Sequence, residues 1–273
     1  MIVRIHTYTA LLTLVNLVLY AIVGIAGLVD IRVAPAPVVW VQEFAVSAGQ
    51  ADREVADRVV RVLGLSLATP VHDFAIGHDA QRHLVLDFYH ANGRHQITVL
   101  EQPGRLRIVR SRASLWKYLS TLHVTTAAFH SGDWRMQLWA WWNEAAMWCL
   151  GVMAISGVWI WRQRRGGRGA LRRAHRYTAL GALALVLVYQ ISAMQMAHRA
   201  WLQAGSVLTA LNRIHRMRDS AIPALLGVAL LVLGATGLCL WWRAPRDRVA
   251  GAVLMGLGIF VAGGLICWMR MAP

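Results

Sequence analysis

The sequence predicts a membrane all-α bundle of about five transmembrane helices, with a small α+β domain inserted after the first of them. Two observations predict this fold. Hydrophobic residues make up 57% of the chain and charged residues only 15%, a composition that soluble domains do not have. Apolar runs close to the ~20 residues needed to cross ~30 Å of hydrocarbon also recur along the chain. We identify five such runs, at 7–29, 136–161, 176–197, 221–242 and 249–269.

The predicted organisation is one span at 1–29, a soluble domain at 30–113, three spans with histidine-bearing connections at 114–242, and a last span at 243–273. Charge predicts the orientation of these spans. The loop from Arg162 to Arg176 holds seven arginines, and such loops stay on the cytoplasmic side. The N-terminus is then cytoplasmic and the soluble domain lies outside. We therefore attribute the net charge of +15 to membrane topology rather than to nucleic-acid binding.

The soluble insert reads as one helix followed by a three-stranded meander. Residues 50–63 carry apolar side chains at helical spacing, and 83–90, 95–101 and 105–110 alternate like strands. Asn92-Gly93 is a strong hairpin signal between the first two strands. Five histidines in this insert have no compact metal-ligand spacing, which favours surface positions over a metal or substrate role. They are His72, His78, His83, His90 and His95.

An internal repeat is the most informative feature of the sequence. The pattern H-x-Y-T-A-L begins at His6 in the first span and again at His175 in the third. A looser match, S-x-x-x-x-L-x-x-[LI]-H, ends at His123 and at His215, each time before a returning span. The unit is therefore an inner histidine, a span, an outer histidine and a second span. It occurs twice, and its two returning spans end alike, at Ser156-Gly157 and at Thr236-Gly237. The fifth helix stands outside the repeat.

The repeat pairs the histidines. Repeats related by an axis along the membrane normal bring equivalent positions face to face, so His6 would face His175 near the inner surface and His123 would face His215 near the outer one. Two neutral imidazoles from two helices are the arrangement that holds b-type haem iron. This pattern predicts two haem b groups with irons ~20 Å apart. No CxxCH occurs in the chain, so any such haem is bound without covalent attachment.

Alternatives remain open for each of these residues. A histidine at a membrane boundary is often an interfacial side chain with no ligand. His130 and His198 lie near the outer boundary and are rival outer ligands. Arg176 and Arg216 each follow a candidate ligand and are candidates for pairing with haem propionates. Contacts with phospholipid are an equal alternative for both arginines.

Glu144 lies in the second predicted span. A carboxylate within a membrane is costly and usually faces a cavity, so Glu144 is a candidate for a proton or substrate role. It lies only about two turns from the outer end of the span, near several tryptophans. An interfacial position is therefore the alternative interpretation.

These motifs resemble the PepSY-associated transmembrane family, which includes iron-regulated membrane proteins of the ferric-siderophore reductase type. The resemblance lies in Ile5-His6, Leu122-His123, Ile214-His215, Gly132-Asp133-Trp134, Thr236-Gly237 and the stretch ITVLEQPGRLRIV. The resemblance covers nearly the whole chain, and residues 50–110 resemble one PepSY module. The resemblance implies a haem-containing oxidoreductase of the bacterial inner membrane. Its soluble domain would be periplasmic, and its electrons would pass outward to ferric siderophores or similar Fe(III) complexes.

Two further points bound the function. No GxGxxG after a strand, GxxxxGK[ST] or HExxH occurs, so nicotinamide, nucleotide-hydrolysis and zinc-peptidase functions lack support. The cytoplasmic loops are too short for a reductase domain, so a membrane quinol or a separate protein must donate the electrons. The alternative function is a non-redox PepSY membrane protein that binds or regulates a periplasmic peptidase or another envelope partner.

Overall fold

The structure is a computed structural model that describes residues 1–26, 34–47, 49–66, 74–100, 104–128, 132–163, 169–198, 205–215 and 221–272. Its elements in chain order are α1 (Ile2–Leu12), α2 (Leu14–Ala26), β1 (Val38–Glu43), α3 (Asp52–Val62), β2 (Phe74–His78), β3 (Leu84–His90), β4 (Gly93–Leu100), β5 (Arg105–Arg112), α4 (Leu115–Val124), α5 (Trp134–Gln163), α6 (Ala170–Ala197), α7 (Ser206–His215), α8 (Ala221–Trp242), α9 (Arg248–Gly258) and α10 (Gly264–Met271). The chain forms two compact units. A helical unit comprises Met1–Asp30, Thr126–Ala128 and Trp139–Ile266, and a sheet unit comprises Ile31–Thr125, Phe129–Leu138 and Cys267–Pro273.

Four helices among the described residues are long and apolar enough to cross a membrane. They are α5, α6, α8 and the continuous helix Arg248–Met271, in which a π-helical stretch, Ile259–Gly263, joins α9 to α10. The pair α1 and α2 passes the same test when taken together, which gives up to five spans. The described residues therefore contain the apolar helices that are expected of a helical membrane protein with a small inserted domain.

The first span is not the single continuous helix that the sequence predicts. The axes of α1 and α2 differ by 63°, and the break falls at Thr13. The Thr9 hydroxyl donates to the Ile5 carbonyl and the Thr13 hydroxyl to the Thr9 carbonyl. Hydroxyls that bond back to carbonyls four residues earlier bend helices, and this bonding accounts for a break without proline.

The helical unit is held together by an apolar core and a buried polar network. In the core, α8 packs against both α2 and α6 around Ala21, Ala182, Val186, Leu226 and Leu230. In the network, Asn143 of α5 accepts hydrogen bonds from Asn16 at 3.2 Å and from Tyr20 at 2.8 Å. The side chain of Trp142 donates to Asn16 at 2.8 Å. Such bonds fasten helices where lipid offers no alternative partner.

The sheet unit contains a five-stranded antiparallel sheet in the order β1-β5-β4-β3-β2. The predicted meander is present as β3, β4 and β5. Buried and partly exposed residues alternate along β3 and β4, as the alternation of apolar residues in the sequence predicts. The sequence missed β1, which pairs with β5, and β2, which pairs with β3. The turn residues between β3 and β4 are Ala91 and Asn92, since His90 pairs with Gly93. One face of the sheet is covered by α3 through Val55, Ala56 and Val59.

Candidate functional site

His6 lies on α1 and is held by the C-terminal part of α5. Its Nδ1 lies 3.0 Å from the Ser156 hydroxyl and 3.1 Å from the Met153 carbonyl. A Cβ at Gly157 would lie 3.4 Å from Cε1 of His6. The backbone of α5 therefore passes close to the imidazole at Gly157, while the neighbouring Ser156 binds that ring.

His175 has the matching surroundings in the second copy of the repeat. Its Nδ1 lies 2.7 Å from the Thr236 hydroxyl on α8, and the Leu233 carbonyl is a second partner. A Cβ at Gly237 would lie 3.5 Å from Cε1 of His175. The glycines and hydroxyl residues that the repeat aligns by sequence thus make the same contacts with its two inner histidines.

Hydrogen bonding fixes the tautomer of both imidazoles. The Ser156 hydroxyl donates to the Val152 carbonyl at 2.7 Å, and the Thr236 hydroxyl donates to the Val232 carbonyl at 2.6 Å. Each hydroxyl therefore accepts from its histidine, and the neighbouring carbonyls can only accept. Nδ1 carries the proton in both rings, so the Nε2 lone pair is the one available to a metal. Ligating histidines are oriented in this way by a partner behind the ring.

A Coulombic interaction couples the two inner histidines, and their facing arrangement on either side of a haem stays a prediction. This arrangement fits bis-histidine haem ligation in its residue type, tautomer and neighbouring small residues. Among the described residues, no group of three or more His, Cys, Asp or Glu could hold a metal ion. Axial haem ligation needs only two histidines, so that finding leaves the haem prediction untested. Arg176, a predicted propionate partner, lies with its guanidinium carbon 5.8 Å from the centre of the Trp161 ring.

The predicted outer ligands occur in different units. His215 ends α7 in the helical unit, where its ring lies 4.6 Å from that of Tyr189, centre to centre. His123 is half-buried near the end of α4 in the sheet unit. Their pairing stays a prediction. Arg216 and the rival ligand His130 lie outside the described residues.

Glu144 is buried in the helical unit, with 8% of its surface exposed. One carboxylate oxygen accepts from the Ala127 backbone N–H at 3.0 Å, and the other lies 2.9 Å from Nε2 of His198. The rival ligand His198 is thus engaged by a carboxylate. Burial within the protein does not report depth in a membrane, so the interfacial alternative and a role in holding or moving a proton both stay predictions for Glu144.

His90 and His95 contradict the expectation that the histidines of the insert are on the surface. Each is only 4% exposed, and their rings stack 4.9 Å apart. Burial and the neighbouring charges of His95, Arg110 and Arg112 lower the pKa of His90 to about 3. Burial and Arg110 lower the pKa of His95 to about 4. Strand alternation could have revealed this burial, because side chains two residues apart point to the same face of a sheet. His90 is therefore on the face of Leu84 and Leu86, and His95 is on the face of Ile97 and Val99.

No protein-family model, characterised protein or solved structure matches this chain.

Proposed function

We propose that this chain is a haem-containing electron-transfer protein of the bacterial inner membrane that reduces Fe(III) complexes on the periplasmic side. One observation carries the proposal. His6 and His175 stand at equivalent positions of a repeat, and each has a hydroxyl partner at Nδ1 and a glycine beside its ring, again at equivalent positions. A pair of half-buried imidazoles with matched tautomers, one from each of two helices, is the ligand set expected of a b-type haem. Haem supplies a one-electron carrier when it is bound between such ligands.

The remaining roles follow from the chain's own residues. His6 and His175 hold the inner haem through Nε2, and Ser156 and Thr236 fix the orientation of their rings. Gly157 and Gly237 keep the space beside each imidazole open. The guanidinium of Arg176 is the candidate partner for a propionate. His123 and His215, with Arg216 beside the latter, are the proposed ligands and propionate partner of a second haem.

The proposed reaction is a one-electron reduction of each ferric ion. A membrane quinol or a separate electron-donor protein gives up the electron, because the described cytoplasmic segments contain no reductase domain. The acceptor is a ferric siderophore or a similar Fe(III) complex, which releases iron after reduction because its ligands bind ferrous ion weakly. The sequence resemblance to PepSY-associated membrane proteins supports this choice of acceptor.

The first test is a dithionite-reduced minus oxidised visible spectrum of the detergent-purified protein, with haem quantified per chain. A sharp b-type α-band and about two haems per chain are expected from two histidine pairs. One haem per chain would retain the inner pair and remove the outer one from the proposal. Protein without haem after expression with ample haem supply would contradict the redox function and favour the peptidase-binding alternative.

Activity is tested separately. The reduced protein is mixed with a ferric siderophore under anaerobic conditions, and the return of the oxidised haem spectrum is followed together with capture of Fe(II) by a ferrous chelator. Stoichiometric Fe(II) with reoxidation supports the proposed acceptor. A stable reduced spectrum in the presence of the ferric complex would exclude it.

A further inference from the structure

A second histidine pair lies in the sheet unit, beyond the part of the sheet that α3 covers. In the strand register, His95 of β4 stands opposite Arg110 of β5. In the next row, Gly93 stands between His90 of β3 and Arg112 of β5. Strand parity puts these four side chains on the same face as the apolar core. Two imidazoles and two guanidinium groups therefore share one end of that face.

A third guanidinium joins them from the end of the last helix. Arg270 of α10 belongs to the sheet unit and donates from Nη2 to the Ala113 carbonyl at 3.0 Å. Its guanidinium carbon lies 5.2 Å from the centre of the Tyr118 ring, and its charge interacts with that of Arg112. We call His90, His95, Arg110, Arg112 and Arg270 the cationic cluster.

Several side-chain nitrogens of the cationic cluster are buried with no hydrogen-bond partner among the described residues. They are Nδ1 and Nε2 of His90, Nδ1 of His95, Nε and Nη2 of Arg110 and Nη1 of Arg270. Within the part of the chain that the structure describes, the ion pairs of carboxylates involve other residues. An arginine cannot shed its proton in a protein, and a buried donor left unbonded is costly. The guanidinium groups of Arg110 and Arg270, which have buried nitrogens with no partner among the described residues, would therefore be stabilised by a bound negative group.

We propose that the cationic cluster is an oxyanion-binding site for a phosphate or carboxylate group. Guanidinium groups bind planar carboxylates and tetrahedral phosphates through paired N–H donors. The stacked imidazoles, each able to donate, add two further sites. Arg112 is exposed, so the cluster has an edge in contact with solvent.

Two sources can supply such an anion. A free phosphate or polycarboxylate would enter from solvent past Arg112. A phospholipid headgroup would come from the membrane boundary, because Arg270 lies in the last turn of the last apolar helix. The cluster contains none of the proposed haem ligands, so the anion site is independent of the proposed redox function.

The test uses the full chain in detergent. Thermal unfolding is measured with inorganic phosphate or citrate against chloride at equal ionic strength, and again in nanodiscs of phosphatidylglycerol against phosphatidylcholine. The variants are Arg110→Gln and Arg270→Gln. Arg107→Gln is the matched control, because Arg107 is an exposed arginine on the opposite face of the same strand.

An anion that binds the folded protein raises its unfolding midpoint. We expect that rise in the wild type and in Arg107→Gln, and an apparent Kd weakened about tenfold in each cluster variant, as for loss of one charged hydrogen bond. A rise with phosphate or citrate identifies a free anion, and a rise confined to phosphatidylglycerol identifies a lipid. If Arg110→Gln does not fold, the response of Arg270→Gln to the anion tests the proposal by itself. Equal responses in the three variants, or none in the wild type, would overturn the proposal.

Discussion

Two sets of histidines among the described residues, one in each unit, differ in their surroundings in one decisive way. His6 and His175, in the helical unit, each have oxygen acceptors at Nδ1. His90 and His95, in the sheet unit, have arginines as neighbours, and no described residue offers an acceptor to their Nδ1 atoms. The first pair has a defined tautomer that leaves Nε2 for a metal. The second pair is surrounded by positive charge, which repels a metal cation and attracts an anion. Residue type alone thus does not distinguish a ligand pair from an anion site.

Removing an inner imidazole should have the largest effect. We expect His175→Ala or His6→Ala to lose the inner haem completely, because one remaining axial ligand leaves the iron exposed to exchange. Haem per chain should fall from about two to about one. The measurement is the reduced minus oxidised spectrum of the purified variants. His78→Ala, at an exposed histidine of the sheet unit, is the control, and haem content equal to wild type in both inner variants would reject the assignment.

Filling the space beside an inner imidazole should come next. A Cβ at Gly237 would sit 3.5 Å from Cε1 of His175, which is ordinary contact, so Gly237→Ala should keep its haem. Gly237→Leu adds branched carbons on the ring's side and should displace the imidazole, with loss of most of the inner haem. Midpoint potentials and haem content separate the two variants. Similar losses in both, or in neither, would show that the glycine does not act through His175.

The buried pair His90 and His95 should make the stability of the protein sensitive to acid. The pKa values of about 3 and about 4 for His90 and His95 lie below the ~6.5 of an unfolded histidine. As pH falls below ~6.5, these two histidines take up protons in the unfolded chain before they do so in the folded protein. Their contribution to the free energy of unfolding is therefore full above that pH and declines towards pH 4. The slope is up to about 1.4 kcal/mol per pH unit for each histidine.

Unfolding midpoints of wild type and His95→Gln measured from pH 7 to pH 4.5 test this slope. The variant should lose part of the dependence, whereas His78→Gln, outside the cluster, should keep the wild-type slope. Saturating phosphate should flatten the wild-type curve as well, since a bound anion favours protonated imidazoles. A wild-type slope in His95→Gln would mean that other groups cause the acid loss.

The smallest effect is expected from removing one hydroxyl partner. Thr236→Val deletes the acceptor 2.7 Å from Nδ1 of His175 but keeps the Leu233 carbonyl. Loss of a partner behind a metal-bound histidine costs roughly 10–100-fold in affinity. With one acceptor left, we expect the lower end of that range, about tenfold. Haem transfer to apomyoglobin measures the loss, and Thr236→Ser, which retains the hydroxyl, should behave as wild type.

The sequence determined the parts of this protein that depend on local pattern. Apolar length alone identified the membrane-spanning segments, because ~30 Å of hydrocarbon requires it. Alternation identified β3 to β5, and the repeat selected His6 and His175 together with Ser156-Gly157 and Thr236-Gly237. Each of these inferences needed only neighbouring residues or the comparison of two similar stretches.

The tertiary structure decided what depends on residues far apart in the chain. It broke the first span at Thr13, where two threonine hydroxyls bend the backbone. It added β1 and β2 as the two edges of the sheet, where their pairing partners in β5 and β3 stabilise them. It also gave His6 and His175 their acceptors, and gathered His90 and His95 with arginines from β5 and α10. Hydrogen-bond partners and local charge come from packing, and these determine whether a histidine binds a metal or accompanies an anion.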